Sequence, residues 1–279
     1  MTTLTPSHHS LPNKPISASR VLSLSVVVPC FNEEESVEQL IDSLACLEKE
    51  AEGLAKSRGD QLLLEFVLVD DGSTDRTVEK LTSAELPEHY RIVCHQENQG
   101  IAAAIQTGIK SASHDLVGSI DADCSYDPGD ILKMLSRFPA DATMAVASPY
   151  HPEGGVLNVP AWRLWLSKQA SRMYSWVLRQ KLHTYTSCFR LYRRSEVAAV
   201  KLTNSDFVGI AELVWRLDRS GYKIVEVPAI LSTRKYGQSK MKVMRATLKH
   251  IALLFRAGVD RLLSPFHTYP KPTGVTTAD

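Results

Sequence analysis

The alternation of short β-branched runs with helical patterns through the first half of the chain most constrains its fold. Strand-like runs occupy residues 22–28, 62–69, 91–95 and 116–120, and helical patterns lie between them at residues 33–57, 75–84 and 100–111. This order predicts an α/β, Rossmann-type fold with a mostly parallel sheet and helices on both faces. The G-x-G-x-x-G pattern of a dinucleotide-binding domain is missing after the first strand, which argues against a dehydrogenase.

In a parallel sheet the ligand binds beyond the carboxyl ends of the strands, and here the residues that follow the strands are unusually polar. The first strand is followed by P-C-F-N-E-E (29–34), the second by D-D-G-S-T-D (70–75) and the fourth by D-A-D (121–123). Asp121 and Asp123 suit a hard cation, Mg²⁺ or Mn²⁺, that also binds nucleotide phosphates. Asp70 and Asp71 suit the N–H groups of a base or the hydroxyls of a ribose. Each string alone also fits a strand-to-helix turn with a helix N-cap.

The order of these strings resembles a known family. P-C-F-N-E-E-E, D-D-G-S-T-D-x-T, E-N-Q-G-I-A-A-A-I-Q-T-G and D-A-D are similar to the nucleotide-sugar domain of family-2 glycosyltransferases, in the dolichol-phosphate mannosyltransferase-like branch, over about residues 25–240. The resemblance implies a GT-A-like fold with a metal and diphosphate at Asp121 and Asp123. It also implies a nucleotide pocket lined by Pro29, Phe31, Glu33 and Asp71, above a loop shaped by Asn98 and Gly100.

Basic motifs of the same branch occur in the second half. Arg163 and Ser167 are four residues apart, on one face of a predicted helix. Similar enzymes hold phosphate oxygens with an Arg and a Ser at this spacing. The resemblance therefore implies that both residues bind an acceptor phosphate. C-F-R-L-Y-R (188–193) is similar to the family's S-F-R-L-Y-R segment. R-K-Y-G-Q-S-K (234–240) matches the family's R-x-x-G-x-S-K loop, which implies that Arg234 and Lys240 neutralise the leaving diphosphate.

Two positions depart from the family pattern, and one acidic residue has an open role. Ser148-Pro149-Tyr150 stands where relatives carry S-R-Y, and Thr184 stands where they carry Asp, so one phosphate-binding Arg and one carboxylate are missing. Glu212 is the remaining candidate for a catalytic acid or base near the acceptor. An ordinary helical pair with Arg216 at i+4 explains Glu212 equally well.

Two basic segments carry apolar residues at helical spacing, namely Trp162, Trp165, Leu166, Met173 and Trp176 in the first, and Met244, Leu248, Ile251, Phe255 and Leu262 in the second. A helix lying on a membrane surface and a helix packed on the domain predict the same pattern. The formal net charge of +1 excludes a polycation that coats nucleic acid. Two stretches, residues 154–195 and 227–259, contain no Asp or Glu and together contain 15 of the 32 basic residues. Their local positive charge suits phosphate groups and an anionic membrane.

The sequence therefore predicts an inverting, metal-dependent glycosyltransferase that moves a sugar from GDP-mannose or a UDP-sugar to a polyprenyl or dolichyl phosphate. A transferase to a hydroxyl on a soluble glycan, protein or glycolipid, and a non-catalytic nucleotide-sugar-binding scaffold, are the alternatives. The catalytic domain is expected over residues 21–241 and an amphipathic helix over 242–263, between disordered tails at 1–20 and 264–279. Five scattered cysteines without a C-x-x-C pair, and no long uncharged stretch, predict a cytoplasmic protein peripheral to a membrane.

Overall fold

The computed structural model describes residues 21–233 and 243–263, which form nine strands and eight helices. The strands are β1 (Val21–Cys30), β2 (Gln61–Asp70), β3 (Tyr90–Cys94), β4 (Leu116–Ser119), β5 (Met144–Ser148), β6 (Gly155–Leu157), β7 (Arg190–Arg193), β8 (Ile224–Pro228) and β9 (Ile230–Ser232). The helices are α1 (Val37–Arg58), α2 (Thr77–Ser83), α3 (Ile101–Ser111), α4 (Asp130–Ser136), α5 (Ala161–Val177), α6 (Arg194–Val197), α7 (Phe207–Arg219) and α8 (Val243–Leu263).

Seven strands form one sheet in the order β3-β2-β1-β4-β7-β5-β8. Every neighbouring pair in it is parallel except those of β7, which runs antiparallel to β4 and to β5. Strands β6 and β9 form a separate parallel pair. The predicted mostly parallel sheet is therefore confirmed, and the antiparallel β7 is an addition that the sequence did not reveal.

Alternate side chains of the central strands pack into two different hydrophobic cores, one on each face of the sheet. Val27 of β1 packs in a core that includes side chains of α3, α7 and α8, and its neighbours Val26 and Val28 pack in a second core with side chains of α1 and α4. The two-residue period of a strand explains this division, since both faces of a parallel sheet are covered by helices. The carboxyl ends of the mutually parallel strands lie at one edge of the sheet.

Most predicted boundaries in the first half agree with the structure within two residues. The exception is the helix expected to begin at residue 33, which begins at Val37. Residues 33 and 34 are held instead to the turn after β2, because the N–H of Glu33 donates to Thr77 Oγ1 and that of Glu34 donates to Asp75 Oδ2. This contact between distant parts of the chain overrides the local helical pattern.

The helix predicted over residues 242–263 is α8, Val243–Leu263, and it packs against α5 and α7. None of the helices in the described ranges combines the length and the apolar character that a membrane-spanning helix requires. The tails expected at residues 1–20 and 264–279 lie outside the described residues.

Candidate active site

Two turns at the carboxyl ends of β1 and β2 hold each other by hydrogen bonds. The N–H of Asn32 donates to Ser73 Oγ (2.8 Å), and Asn32 Oδ1 accepts from the N–H of Thr74 (2.7 Å). Asn32 has a φ of 52°, a conformation that asparagine tolerates better than most residues. The P-C-F-N-E-E and D-D-G-S-T-D strings therefore form a single structure at the edge of the sheet, with Pro29, Phe31 and Glu33 half-buried in it.

The carboxylate of Asp71 is buried and organises the loop before α3. Its Oδ1 lies 2.7 Å from His95 Nδ1 and accepts from the N–H of Gln99 (2.9 Å). Its Oδ2 accepts from Asn98 Nδ2 (3.0 Å) and from the N–H of Gly100 (2.7 Å). Both carboxylate oxygens are bonded to the protein, and direct contact of Asp71 with a nucleotide stays a prediction. Within the structure, Asp71 orients the loop that contains Asn98 and Gly100.

Asp70 keeps an unused acceptor at the same edge. Its Oδ2 accepts from the N–H of Ser73 (3.0 Å), and its Oδ1 is buried with no hydrogen-bond partner among the described residues. A buried carboxylate oxygen left without a donor costs about 1–3 kcal/mol or more, so such a group in a native protein calls for an explanation. A donor N–H or O–H from a ligand would satisfy Asp70 Oδ1.

Gly100 fixes the position of this loop against the opposite side of the domain. Its φ of 105° is strongly disfavoured for any side chain, and an added Cβ would lie 2.5 Å from the carbonyl oxygen of Ser205. The same carbonyl accepts from the N–H groups of Ala102 and Ala103 at the start of α3 (2.8 and 3.1 Å). The loop and the segment before α7 are therefore packed backbone to backbone.

Asp121 and Asp123 follow β4, are half-buried and line a cavity of about 580 Å³. Asp123 Oδ1 accepts from the N–H of Ser125 (3.0 Å), which orients the turn. Within residues 21–233 and 243–263, no group of three His, Cys, Asp or Glu side chains forms a complete metal site. Two hard carboxylates with no third protein ligand fit Mg²⁺ or Mn²⁺, because these cations complete their shells with phosphate oxygens and water.

The same cavity is also lined by α5 and α8. Arg163 and Ser167 of α5 supply a polar part of its wall, together with Tyr150 from the segment after β5. Met173 of α5 and Leu254 of α8 belong to an apolar part. One cavity therefore combines a carboxylate pair, a basic and hydroxylic wall and an apolar wall.

The model of the family described as "Glycosyl transferase family 2" matches residues 25–199. The chain belongs to glycosyl transferase family 2. This glycosyltransferase is 29% identical over 250 residues to a polyprenol monophosphomannose synthase of Mycolicibacterium smegmatis, covering 85% of this chain and 88% of the relative. It is 29% identical over 249 residues to a dolichol-phosphate mannosyltransferase of Pyrococcus furiosus, covering 87% and 67%.

Solved structures show that the glycosyltransferase has a GT-A-like fold. A glucosyl-3-phosphoglycerate synthase of Mycobacterium tuberculosis, in complex with Mn²⁺, UDP and its product, superposes with a TM-score of 0.59 at 18% identity, covering 85% of this chain and 80% of that one. A mannosyltransferase of Pyrobaculum calidifontis with GDP-Man and Mn²⁺ superposes with a TM-score of 0.55 at 16% identity, covering 89% and 67%. The fold expected from the sequence is confirmed.

Burial and the nearby carboxylates keep two other polar groups of the glycosyltransferase cavity uncharged. Burial raises the pKa of the Cys188 thiol well above its usual value, and the charge of Asp121 raises it further. Burial likewise raises the pKa of Tyr126, with a smaller contribution from Asp121. Among the described residues that line the cavity, the carboxylates are Asp121 and Asp123, and burial favours the protonated thiol of Cys188.

The structure brings the predicted acceptor residues to the carboxylate cavity. The Arg163 guanidinium lies over the ring of Trp162, 5.4 Å from its centroid, and Ser167 lines the cavity together with Tyr150. Both departures from the family pattern, Pro149 and Thr184, also line the cavity. Arg234 and Lys240, expected over the diphosphate, lie outside the described residues.

Glu212 does not line the cavity, and its candidate catalytic role stays a prediction that its surroundings do not favour. The side chain is fully buried, and it accepts from the N–H groups of Thr203 (2.9 Å) and Asn204 (2.8 Å) and from Asn204 Nδ2 (2.8 Å). Arg216 Nε and Nη2 donate to it at 2.8 and 2.6 Å. Hydrogen bonds of this kind hold the pKa of Glu212 below its usual value, against the opposing effect of burial. The helical pair with Arg216, the alternative named from the sequence, is present in the structure.

The sequence reasoning missed the contribution of α8 to the cavity. His250, Ile251 and Leu254 line it, and His250 Nδ1 lies 2.8 Å from Tyr174 Oη. Burial lowers the pKa of His250, partly offset by Asp206. The stripe named from the sequence is the exposed side of this helix, since Met244, Leu248 and Phe255 are 82%, 66% and 73% exposed. A second, shorter apolar face (Leu253, Leu254, Ala257) packs inward, and its i, i+1, i+4 spacing was the available signal.

Proposed function

We propose that this glycosyltransferase transfers a sugar from a nucleotide diphosphate sugar to a polyprenyl phosphate at a membrane surface, with inversion at the anomeric carbon. The observation that carries the proposal is the composition of the single cavity described above. It joins Asp121 and Asp123 to Arg163 and Ser167 and continues along apolar side chains of α5 and α8. A donor diphosphate, an acceptor phosphate and an isoprenoid chain each find matching chemistry there.

Each group of residues has a separate task in this reaction. Asp121 and Asp123 would hold Mg²⁺ or Mn²⁺, which would neutralise charge on the leaving diphosphate. Asp70 Oδ1 would accept from an N–H or O–H of the nucleoside, while Pro29, Phe31 and Glu33 flank it. Arg163 and Ser167 would hold the acceptor phosphate, whose second pKa of about 6 leaves it mostly dianionic at neutral pH. Such a phosphate attacks without a general base, which fits the burial of Glu212.

The names of the relatives support the same acceptor class. The Mycolicibacterium smegmatis and Pyrococcus furiosus proteins are named for polyprenol and dolichol phosphate. A dodecaprenyl-phosphate galacturonate synthase of Rhizobium johnstonii is 31% identical over 238 residues. These names cover several sugars, so the donor sugar and its base stay predictions.

The first experiment measures transfer from a panel of UDP- and GDP-sugars to a short polyprenyl phosphate. Removal of divalent metal by EDTA should abolish transfer, and Mn²⁺ or Mg²⁺ should restore it. Asp123→Ala should reduce kcat by about 10²-fold or more, because a group that stabilises the leaving charge is lost. A rate within a factor of two of wild type would refute the metal assignment.

The proposal includes docking of an α5–α8 face on an anionic bilayer. This face consists of exposed Trp162, Trp165 and Trp176 on α5 and Met244, Leu248, Ile251, Phe255 and Leu262 on α8. Helix α5 contains no acid, and the one acid of α8, Asp260, is paired with Arg219 at 2.9 Å. Tryptophans and a basic, acid-poor surround suit the interface of an anionic membrane, whereas isolated soluble domains seldom expose so large an apolar patch.

Vesicle sedimentation tests the docking. The protein should bind vesicles containing an anionic lipid, and Leu248→Glu with Phe255→Glu should release it without changing the unfolding temperature. Glu79→Lys, a charge change on the exposed surface of α2, is the control. A dimer in solution that the Leu248 and Phe255 variants convert to monomer would show that a second copy, not a bilayer, covers this face.

A hydroxyl acceptor is the second candidate, and His250 is the observation that favours it. Among the described residues that line the cavity, Asp121 and Asp123 are the only carboxylates, and His250 is the other titratable base. Its lowered pKa makes it neutral at pH 7. Comparison of polyprenyl phosphate with the corresponding polyprenol separates the two candidates. The hydroxyl route predicts that His250→Gln lowers kcat by about 10²-fold or more, and the phosphate route predicts little change.

A further inference from the structure

We infer that Tyr150 and Lys168 complete the acceptor-phosphate site, with Lys168 as its second cation. The inference rests on the proposed function and deepens it by naming the groups that recognise the phosphate. Pro149 carries no cation at the position where the family pattern has an arginine, and it lies in the cavity wall next to Tyr150. The geometry around Tyr150 shows a different source for that charge.

Tyr150 connects Lys168 to the predicted phosphate ligand Ser167. A polar interaction with Ser167 opposes the rise that burial causes in the pKa of Tyr150. The half-buried Tyr150 ring lies under the Lys168 ammonium, with Nζ 5.4 Å from the ring centroid. A cation within about 6 Å of an aromatic centroid is attracted to the ring face. Lys168 is exposed and does not itself line the cavity, but the ring that holds its Nζ belongs to Tyr150, which does line it.

Arg163 and Lys168 have no acidic partner among the described residues. Neither side chain forms an ion pair there, and each lies over an aromatic ring instead. Residues 154–195 contain no Asp or Glu. Two unpaired cations beside two hydroxyls, Ser167 and Tyr150, form a binding site for an anion with several oxygens.

The proposed chemistry indicates which step this site affects. An oxygen of the acceptor phosphate forms a bond to the anomeric carbon while the bond from that carbon to the donor diphosphate breaks. The acceptor changes from a phosphate with charge close to −2 to a phosphodiester with charge −1. Cations on this wall therefore bind the substrate more tightly than the product. Loss of Lys168 should raise KM for the acceptor and leave KM for the donor unchanged.

The experiment compares Lys168→Gln, Lys168→Arg and Tyr150→Phe with the control Arg172→Gln. Arg172 is an exposed cation on the same helix, one turn further along, and unlike Lys168 it has no contact with Tyr150. With a short polyprenyl phosphate in detergent, Lys168→Gln should raise KM for the acceptor about tenfold or more, the effect of losing one charge-assisted hydrogen bond. Lys168→Arg should restore most of this loss, Tyr150→Phe should raise the same KM severalfold, and Arg172→Gln should leave it unchanged.

Inhibition by inorganic phosphate gives a readout that does not depend on lipid. Inorganic phosphate should compete with the acceptor in the wild type, and its inhibition constant should rise by the same factor in Lys168→Gln. If wild type transfers sugar to polyprenyl phosphate but Lys168→Gln behaves like Arg172→Gln, the inference is overturned while the proposed function stands. If Lys168→Gln weakens the acceptor but not inorganic phosphate, Lys168 contacts lipid, and the assignment is again wrong. If wild type uses no polyprenyl phosphate with any donor, the proposed function fails first.

Discussion

Replacement of Glu212 tests whether this buried carboxylate stabilises the fold or takes part in catalysis. Glu212→Ala removes the acceptor for the N–H groups of Thr203 and Asn204 and the partner of Arg216. Removing one member of a buried ion pair costs about 3–5 kcal/mol. Arg216 is 32% exposed and can be rehydrated, which places the expected cost toward the lower part of that range. For a domain of this size, about 2–4 °C per kcal/mol gives a fall in Tm of roughly 6–20 °C.

Glu212→Gln gives the sharper comparison, since it keeps the volume and one acceptor oxygen and should lower Tm by about half as much. Glu79→Gln breaks the exposed pair with Arg76 and should not change Tm measurably. At a temperature where all variants are folded, Glu212→Gln should keep kcat within about threefold, whereas loss of a general base costs 10²–10⁴-fold. A Glu212→Gln variant with wild-type Tm and a hundredfold lower kcat would refute the structural role and revive a hydroxyl acceptor.

Two further predictions concern the donor loop and α8. Asp71→Asn should raise KM for the donor about tenfold or more, measurable by initial rates, because the charge that binds the N–H groups of Gln99 and Gly100 is lost. Donor KM unchanged from wild type would contradict the organising role of Asp71. The pKa of His250 is lower in the folded protein than in the unfolded chain, where it is about 6.5. The contribution of His250 to the free energy of unfolding is therefore present above pH 6.5 and is lost as the pH falls toward the lower, folded-state pKa. The Tm of wild type should therefore fall more between about pH 7.5 and 5.5 than that of His250→Gln, measured by scanning calorimetry; equal slopes would contradict this.

The mostly parallel sheet and the positions of its first four strands in the chain were predictable because their signal is local. Runs such as Leu24 to Val28 combine β-branched residues with burial on both faces, and the polar strings that follow them have no other place than the strand ends. The antiparallel strand β7 could not be predicted in the same way. The strand Arg190–Arg193 begins and ends with arginine, a residue that is mostly exposed in proteins. Arg190 is nevertheless fully buried, because its guanidinium donates to the carbonyl oxygens of Ile210 and Tyr185 (2.9 Å each).

The site was predictable at the level of residues but not of their orientation. Asp70 and Asp71 are adjacent in the sequence and chemically identical, yet one has a free buried oxygen and the other is bonded to four groups of the loop before α3. The difference depends on contacts with residues 95–100, about 25 positions later in the chain. The α8 stripe shows the same limit, since periodicity identifies an apolar face without showing which side of the helix meets the domain.

The structure explains how α8 can expose its larger apolar face and still stay on the domain. Polar contacts hold it along its length: Lys249 pairs with Asp206, His250 with Tyr174, and Arg261 donates to the carbonyl oxygens of Trp176 and Val177 at the end of α5 (2.9 and 2.8 Å). The apolar stripe is therefore not needed to dock the helix and remains available to a membrane. Because the helix is already ordered, docking does not have to supply the free energy of folding it. Asp206, the N-cap of α7, directly follows Ser205, whose carbonyl supports the loop at Gly100, so α8 and this loop are anchored to two adjacent residues.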